Sequence, residues 1–122
     1  MGRRKEREEI MTILYMLEVG GEYDKENYSN FANEKVIDLI ENVEEIDEII
    51  SRNLTNWTID RLNYVDKAII RYATYEMMNT ILPSEIIINE AIELTKEFSD
   101  IDGAQKAFNN KLLDCIKNDI RK

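Results

Sequence analysis

Basic side chains are concentrated at the N-terminus of this chain, where Arg3, Arg4, Lys5 and Arg7 lie within five positions. In a helix, this spacing places two or three guanidinium groups on adjacent faces. Each guanidinium can bind a phosphate through two parallel hydrogen bonds or stack on an unpaired base. RNA contact is therefore one of two interpretations of this segment.

The charge distribution supports a separate role for this segment. The net charge of the chain is −9, which taken alone argues against a nucleic-acid partner. Residues 1–7, however, carry four bases against one acid, and the remaining residues carry 12 bases against 24 acids. The alternative is a solubilising terminus whose cations pair with Glu6, Glu8 and Glu9 along the helix. By the residue pattern alone, that alternative is the safer interpretation.

Sequence motifs for enzymatic chemistry are absent. The chain has no GxxxxGK[ST], GxGxxG, HExxH or CxxC pattern and no histidine. Its single Cys115 cannot form an internal disulfide, and we expect it to be buried in an apolar stripe with Leu112 and Ile116. Acidic residues are numerous, but most lie on predicted outer helix faces. We therefore expect a binding protein without catalytic residues, metal or cofactor.

Apolar residues recur at three- and four-residue spacing almost throughout, which predicts an all-α fold. A first helix is expected over residues 3–19, ending at Gly20-Gly21. A second pattern runs from Glu34 to Ile50, after a polar connection. The residues of these segments expected to face the core are Ile10, Ile13, Leu14, Leu17, Val36, Leu39, Ile40, Val43, Ile46, Ile49 and Ile50.

The second half of the chain predicts three more long helices. Trp57 is expected to anchor a short connection, after which Asn63 caps a helix that stops near Pro83. The next helix carries Ile88, Ala91, Ile92, Thr95 and Phe98 at helical spacing. Asp102, with Gln105 three residues later, predicts the start of the last helix. We expect six or seven helices in one domain spanning residues 1–122. The sequence lacks the run of about 20 apolar residues that a membrane span needs, so a cytoplasmic protein is predicted.

Some side chains have a second, functional interpretation. Tyr15 lies one step off the first apolar stripe, where it can contact a partner or pack at the edge of the core. Glu76 continues an apolar stripe and, if covered, needs a cation from an internal arginine or from a bound protein. Phe108, near the start of the last helix, suits the core or a base-stacking surface.

Several segments in their order and spacing resemble the NusB family over nearly the whole chain. The segments are the N-terminal basic region with Ile13-Leu14-Tyr15, then Val65-Asp66-Lys67-Ala68-Ile69-Ile70-Arg71, Tyr75-Glu76-Met77, Pro83, residues 88–98, and Phe108, Asn110, Leu113 and Asp114. The chain departs from the family pattern at Lys111, where a glycine is usual. The stretch between Tyr15 and Asp66 is also shorter than in many relatives.

This resemblance implies a helical fold of two packed sub-bundles and a role in transcription antitermination. Proteins of this family pair with NusE, a small-subunit ribosomal protein, and bind boxA RNA within the transcription elongation complex, typically on ribosomal RNA operons. Carried over to this chain, the resemblance implies two sets of contacts. The RNA-binding positions are Arg3, Arg4, Lys5, Arg7, Asp102, Phe108 and Asn110. The partner-binding positions are Tyr15, Asp66, Tyr75 and Glu76.

Two other classes of function remain open at this point. Similar domains precede the catalytic region of certain ribosomal-RNA cytosine methyltransferases, so the chain can be a detached RNA-guiding domain. It can also be a protein-interaction or homodimerisation module whose N-terminal bases never contact RNA.

Overall fold

Residues 3–121 are described by the structure, a computed structural model of the chain. This part of the chain contains six α-helices and no β-strand, which confirms the predicted fold class. The helices are α1 (Arg3–Val19), α2 (Asn30–Glu41), α3 (Val43–Asn53), α4 (Tyr64–Asn79), α5 (Ser84–Phe98) and α6 (Ala104–Ile120). Single 3₁₀ turns at Lys25–Asn27 and Ile59–Arg61 interrupt the two longer connections.

Helix α4 is the centre of the molecule. Eleven of its 16 residues are buried, and it contacts α1, α3, α5 and α6. Helices α1 and α2 form one group and helices α4 to α6 form the other; α1 packs on α4, and α3 packs mainly on α4 and α6 and less on α2. All six helices contribute side chains to one continuous apolar core.

Helix α1 ends where its pattern predicts. Ile10, Ile13 and Leu14 are buried, and the helix stops before Gly20, whose φ of +77° is available to glycine at little steric cost. Leu17 was expected in the core, but it is 43% exposed. The periodicity continues to the end of the helix, whereas the side of the last turn that carries Leu17 is open to solvent.

The expected second helix is in fact two. Helix α2 starts earlier than predicted, because Ser29 caps it by accepting a hydrogen bond from the amide of Ala32 (3.1 Å). The chain leaves helical geometry at Asn42, with φ −112° and ψ 14°, before α3 begins. Ile40, in the last turn of α2, was predicted to be buried but is 46% exposed. Both helices lie in the shortened stretch between Tyr15 and Asp66.

The ends of α4 are held by specific side chains. Asn63 caps its start as predicted, accepting a hydrogen bond from the amide of Asp66 (2.8 Å). Its end is at Asn79, earlier than the predicted stop beside Pro83. The guanidinium of Arg121 donates to the carbonyl oxygens of Met77 (2.9 Å) and Thr80 (2.8 Å). The C-terminal segment therefore satisfies carbonyl groups that the end of α4 leaves unpaired.

The start of α6 differs from the prediction. Asp100, and not Asp102, is the main capping residue: its carboxylate accepts hydrogen bonds from the amides of Gly103, Gln105 and Lys106. Gly103 has φ +89°, which places this carboxylate next to the helix start.

Two further side chains expected on core-facing stripes are not buried. Cys115 is exposed and Phe98 is 45% exposed, since neighbouring helices cover only part of each stripe. Within residues 3–121, no helix is long and apolar enough to cross a membrane, and no cluster of metal-ligating side chains is present.

Candidate nucleic-acid interface

The first turn of α1 presents an exposed pair of cations. Arg3 and Lys5 are exposed, and neither has a hydrogen-bond or ion-pair partner among the described residues. Arg4 is partly covered: its guanidinium contacts Glu8 (3.3 Å) and also forms a hydrogen-bonded ion pair with Glu97 of α5. The alternative of a fully self-paired terminus therefore holds for Arg4 but not for the other two cations.

Arg7 requires a correction. Its side chain is 3% exposed, and its guanidinium donates two hydrogen bonds, of 2.9 and 2.7 Å, to the carboxylate of Glu76. Arg7 is thus part of the packing between α1 and α4 and not part of the exposed basic segment. The pair also identifies the cation that Glu76 needs: the internal arginine supplies it.

Three predicted partner-binding positions are corrected in the same way. Asp66, Tyr75 and Glu76 are 1%, 2% and 4% exposed, because α4 is covered on several sides. The Tyr75 hydroxyl donates a hydrogen bond to Asp38 of α2, and burial raises the pKa of this phenol. In the free chain, these side chains hold α4 in place and expose almost no area to solvent.

Asp66 organises a buried polar cluster between α4, α5 and α6. Its Oδ1 accepts hydrogen bonds from Asn109 Nδ2 (2.9 Å) and Ser99 Oγ (2.8 Å). Burial raises the pKa of Asp66, while the hydrogen bonds from Asn109, Ser99 and Asn63 oppose this shift. Asn109 was missed by the sequence reasoning because apolar periodicity does not register a buried amide.

Tyr15, the remaining predicted partner residue, is at the surface. It is 37% exposed and lies beside Tyr64 and Phe98, which are 46% and 45% exposed. Together with Asn63, Val65 and Ser99, these rings line a shallow depression of about 330 Å³, which we call the Tyr15 face. Exposed aromatic groups in a shallow depression are typical of protein interfaces.

A second aromatic site surrounds Phe108. Its ring and that of Trp57 meet in an edge-to-face arrangement with 6.2 Å between centroids, and the guanidinium of Arg61 lies 4.7 Å from the centre of the Trp57 ring. Asp66 and Gln105 also line this pocket, whose volume is about 330 Å³. Trp57 was expected to be an apolar anchor, but it is 41% exposed. The sequence therefore did not identify Trp57 and Arg61 as residues that line a pocket. An arginine close in sequence to a loop tryptophan is the signal that could have indicated them.

The other two predicted RNA positions lie at the surface of the same helix region. Asp102 is exposed and accepts a hydrogen bond from the amide of Ala104 (3.1 Å). Asn110 is exposed on α6, one residue after the buried Asn109. Neither side chain lines the pocket around Phe108.

Comparison with known proteins gives a consistent family assignment. Residues 4–117 match the model of the NusB family. A protein of Bacillus licheniformis named transcription antitermination protein NusB is 38% identical over 130 residues, which covers 98% of this chain and 99% of that protein. The protein of the same name from Bacillus velezensis is 39% identical over 130 residues, covering 98% of both chains.

Solved structures agree with the sequence relatives. NusB of T. maritima superimposes with a TM-score of 0.85 at 30% identity, covering 100% of this chain and 94% of that chain. A chain in a crystal structure of a plectonemic RNA supercoil superimposes with a TM-score of 0.81 at 25% identity, covering 96% and 94%. Because the family model and these relatives span nearly the whole length, the chain belongs to the NusB family of non-enzymatic transcription antitermination proteins.

Proposed function

We propose that this protein is a cytoplasmic antitermination factor that binds boxA-type RNA together with NusE and promotes processive transcription of ribosomal RNA operons. The observation that carries the RNA-binding part is the exposed pair Arg3 and Lys5 at the start of α1, on a chain whose net charge is −9. The antitermination role follows the names of the full-length relatives. The transcription elongation complex is then the assembly in which the protein acts.

The RNA contacts start from the first turn of α1. Arg3 and Lys5 can bind phosphate without breaking an internal ion pair. Arg4 can also bind phosphate if phosphate oxygens replace the partly exposed carboxylates of Glu8 and Glu97 as its partners. Phe108, with Trp57 and Arg61 beside it, offers a stacking surface for an unpaired base. Asp102 and Asn110 remain predicted polar contacts near this surface.

The NusE contact is assigned to the Tyr15 face. Its three partly exposed rings supply apolar area, and the neighbouring Asn63 and Ser99 supply polar groups at the rim. Asp66 and Glu76 act indirectly in this proposal: they keep the helices that present the face in register.

An RNA-binding assay with matched charge variants tests the proposal. The double variant Arg3→Ala/Lys5→Ala should weaken binding of the full chain to a labelled boxA-like single-stranded RNA, in the presence and absence of NusE. Since each lost phosphate contact removes about 0.7 from the slope of log affinity against log salt, the slope should fall by about 1.4. Binding to NusE alone should not change.

The control is Lys25→Ala/Lys117→Ala, which removes the same charge away from the first turn of α1. If the control and the test variant lose RNA affinity equally, net charge and not a local site is responsible. If RNA of any sequence binds equally weakly and NusE gives no gain, the RNA-plus-NusE function is wrong.

The Tyr15 face also favours a second candidate, a protein-interaction or homodimerisation module that does not use RNA. Sedimentation of the chain alone and with NusE separates these possibilities. If this second function is correct, the Arg3→Ala/Lys5→Ala variant retains full activity in an antitermination reporter. If the protein acts by binding RNA, the activity of this variant falls.

A further inference from the structure

A groove next to the basic segment has chemistry that the proposed function does not use. It lies between α1, α2 and the segment after α4, and its volume is about 340 Å³. We call it the Phe31 groove; the side chains that matter to its chemistry are Arg3, Arg7, Phe31, Lys35, Tyr75 and Ile81.

One wall of the groove is an exposed apolar surface. Phe31, in the first turn of α2, is 41% exposed, and Ile81 is fully exposed at 102%. Neither side chain is among the buried residues of the core. A phenylalanine ring kept partly in water, beside cations, offers a π-face on which an unpaired base can stack.

The charges in the groove favour an anionic ligand. Lys35 has no ion-pair partner among residues 3–121; its ammonium group lies over the rings of Phe31 (5.4 Å) and Tyr75 (6.0 Å). Arg3, unpaired as well, lines the same groove. In the floor, Arg7 is neutralised by Glu76 but its Nη1 is buried without a hydrogen-bond acceptor. Among the described residues that line the groove, Glu6 is the only acid that is not paired with a cation. Since Arg3 and Lys35 are both unpaired, the groove carries an excess of positive charge.

We propose that the Phe31 groove is a nucleotide-binding subsite for single-stranded RNA, in which one unstacked base packs on Phe31 and the flanking phosphates contact Lys35 and Arg3. The subsite rests on the proposed RNA-binding function and extends the RNA path from the first turn of α1 onto α2. Arg3 belongs to both sites, so the strand can pass directly from one to the other.

Substitutions at two positions separate stacking from charge. Phe31→Ala in the full chain should reduce affinity for single-stranded RNA about tenfold, with an unchanged salt slope, because it removes a stacking surface and no charge. Phe31→Tyr should restore the affinity. Lys35→Ala should reduce the salt slope by about 0.7, the value expected for one phosphate contact.

Ile37→Ala is the matched control, since Ile37 is 58% exposed on the same helix but does not line the groove. It should leave RNA binding unchanged. The proposed subsite is wrong if the Phe31→Ala variant binds RNA like the wild type. If that variant binds RNA normally but loses affinity for NusE, the groove is a protein-binding surface instead. Failure of the proposed function is a different result: the wild-type chain itself would show no specific RNA binding.

Discussion

At the scale of single residues, the ion pair between Arg7 and Glu76 shows that neighbouring arginines in the sequence can differ completely in solvent exposure. Arg3 and Arg7 are four residues apart and lie on nearly the same side of α1. One is exposed, while the other is buried with two hydrogen bonds to Glu76. The same residue type in the same cluster is therefore available to a ligand in one turn and part of the helix packing in the next.

Removing one member of this buried pair should destabilise the fold strongly. Arg7→Ala leaves the carboxylate of Glu76 buried without its cation, so the free energy of unfolding in urea should fall by about 3–5 kcal/mol. Arg4→Ala is the control, because its partly exposed ion pairs should contribute no more than about 1 kcal/mol. Equal, small losses for both variants would show that the Arg7 pair does not hold α1 on α4.

At the scale of helices, a chain of ion pairs joins α1, α3 and α4. Glu18, near the end of α1, accepts a hydrogen bond from Lys67 of α4 (2.7 Å) and contacts Arg71 (3.5 Å). Arg71 donates two further hydrogen bonds, of 2.9 and 2.7 Å, to Asp47 of α3. Because Lys67 is almost fully buried, its charge is matched inside the fold and not by solvent.

This network should make stability dependent on pH in the acidic range. The hydrogen bond from Lys67 lowers the pKa of Glu18 below its ordinary value of 4.5. The stabilisation is therefore fully present above pH 4.5 and is lost as the pH falls through the lowered pKa. Glu18→Gln should reduce the acid dependence of the unfolding midpoint.

The comparison for this measurement is Glu41→Gln, at an exposed position of α2. It should keep the wild-type dependence between pH 5 and pH 3, a range of about two units around the ordinary carboxyl pKa. An identical acid limb in the wild type and in Glu18→Gln would rule out a contribution from this network.

At the scale of the whole molecule, helix α1 carries both proposed binding surfaces. Tyr15 follows Arg3 by twelve positions on one helix, which corresponds to about 18 Å at 1.5 Å per residue. This separation allows an RNA strand and a protein partner to bind at the same time. In the proposed function, the acidic remainder of the surface would repel other stretches of RNA and restrict the contact to the basic end.

The two surfaces should therefore be separable by mutation. Tyr15→Ala should weaken NusE binding at least tenfold, as expected for an aromatic residue at the centre of an interface, and leave the affinity for RNA alone unchanged. Isothermal titration with each partner measures both effects. Ile40→Ala, at a similarly exposed position on α2, serves as the control and should change neither.

The sequence by itself determined the secondary structure closely. Helical periodicity, Gly20, the Asn63 cap and Pro83 place four of the helices, because these signals act within one or two turns of the chain. The resemblance of ordered segments also identified the family before any contact was known. The break at Asn42 was missed, since the apolar spacing continues across it and only the backbone angles show the change of direction.

Only the tertiary structure decided which of the singled-out side chains form a surface. Arg7, Asp66, Tyr75 and Glu76 were assigned to binding sites, yet all four are covered. Conversely, Trp57 and Phe31 are exposed. Each lines a pocket formed by helices and loops that are far apart in the sequence. The physical reason is that a pattern defines one face of a helix, whereas burial depends on which other helix crosses that face and how far it extends.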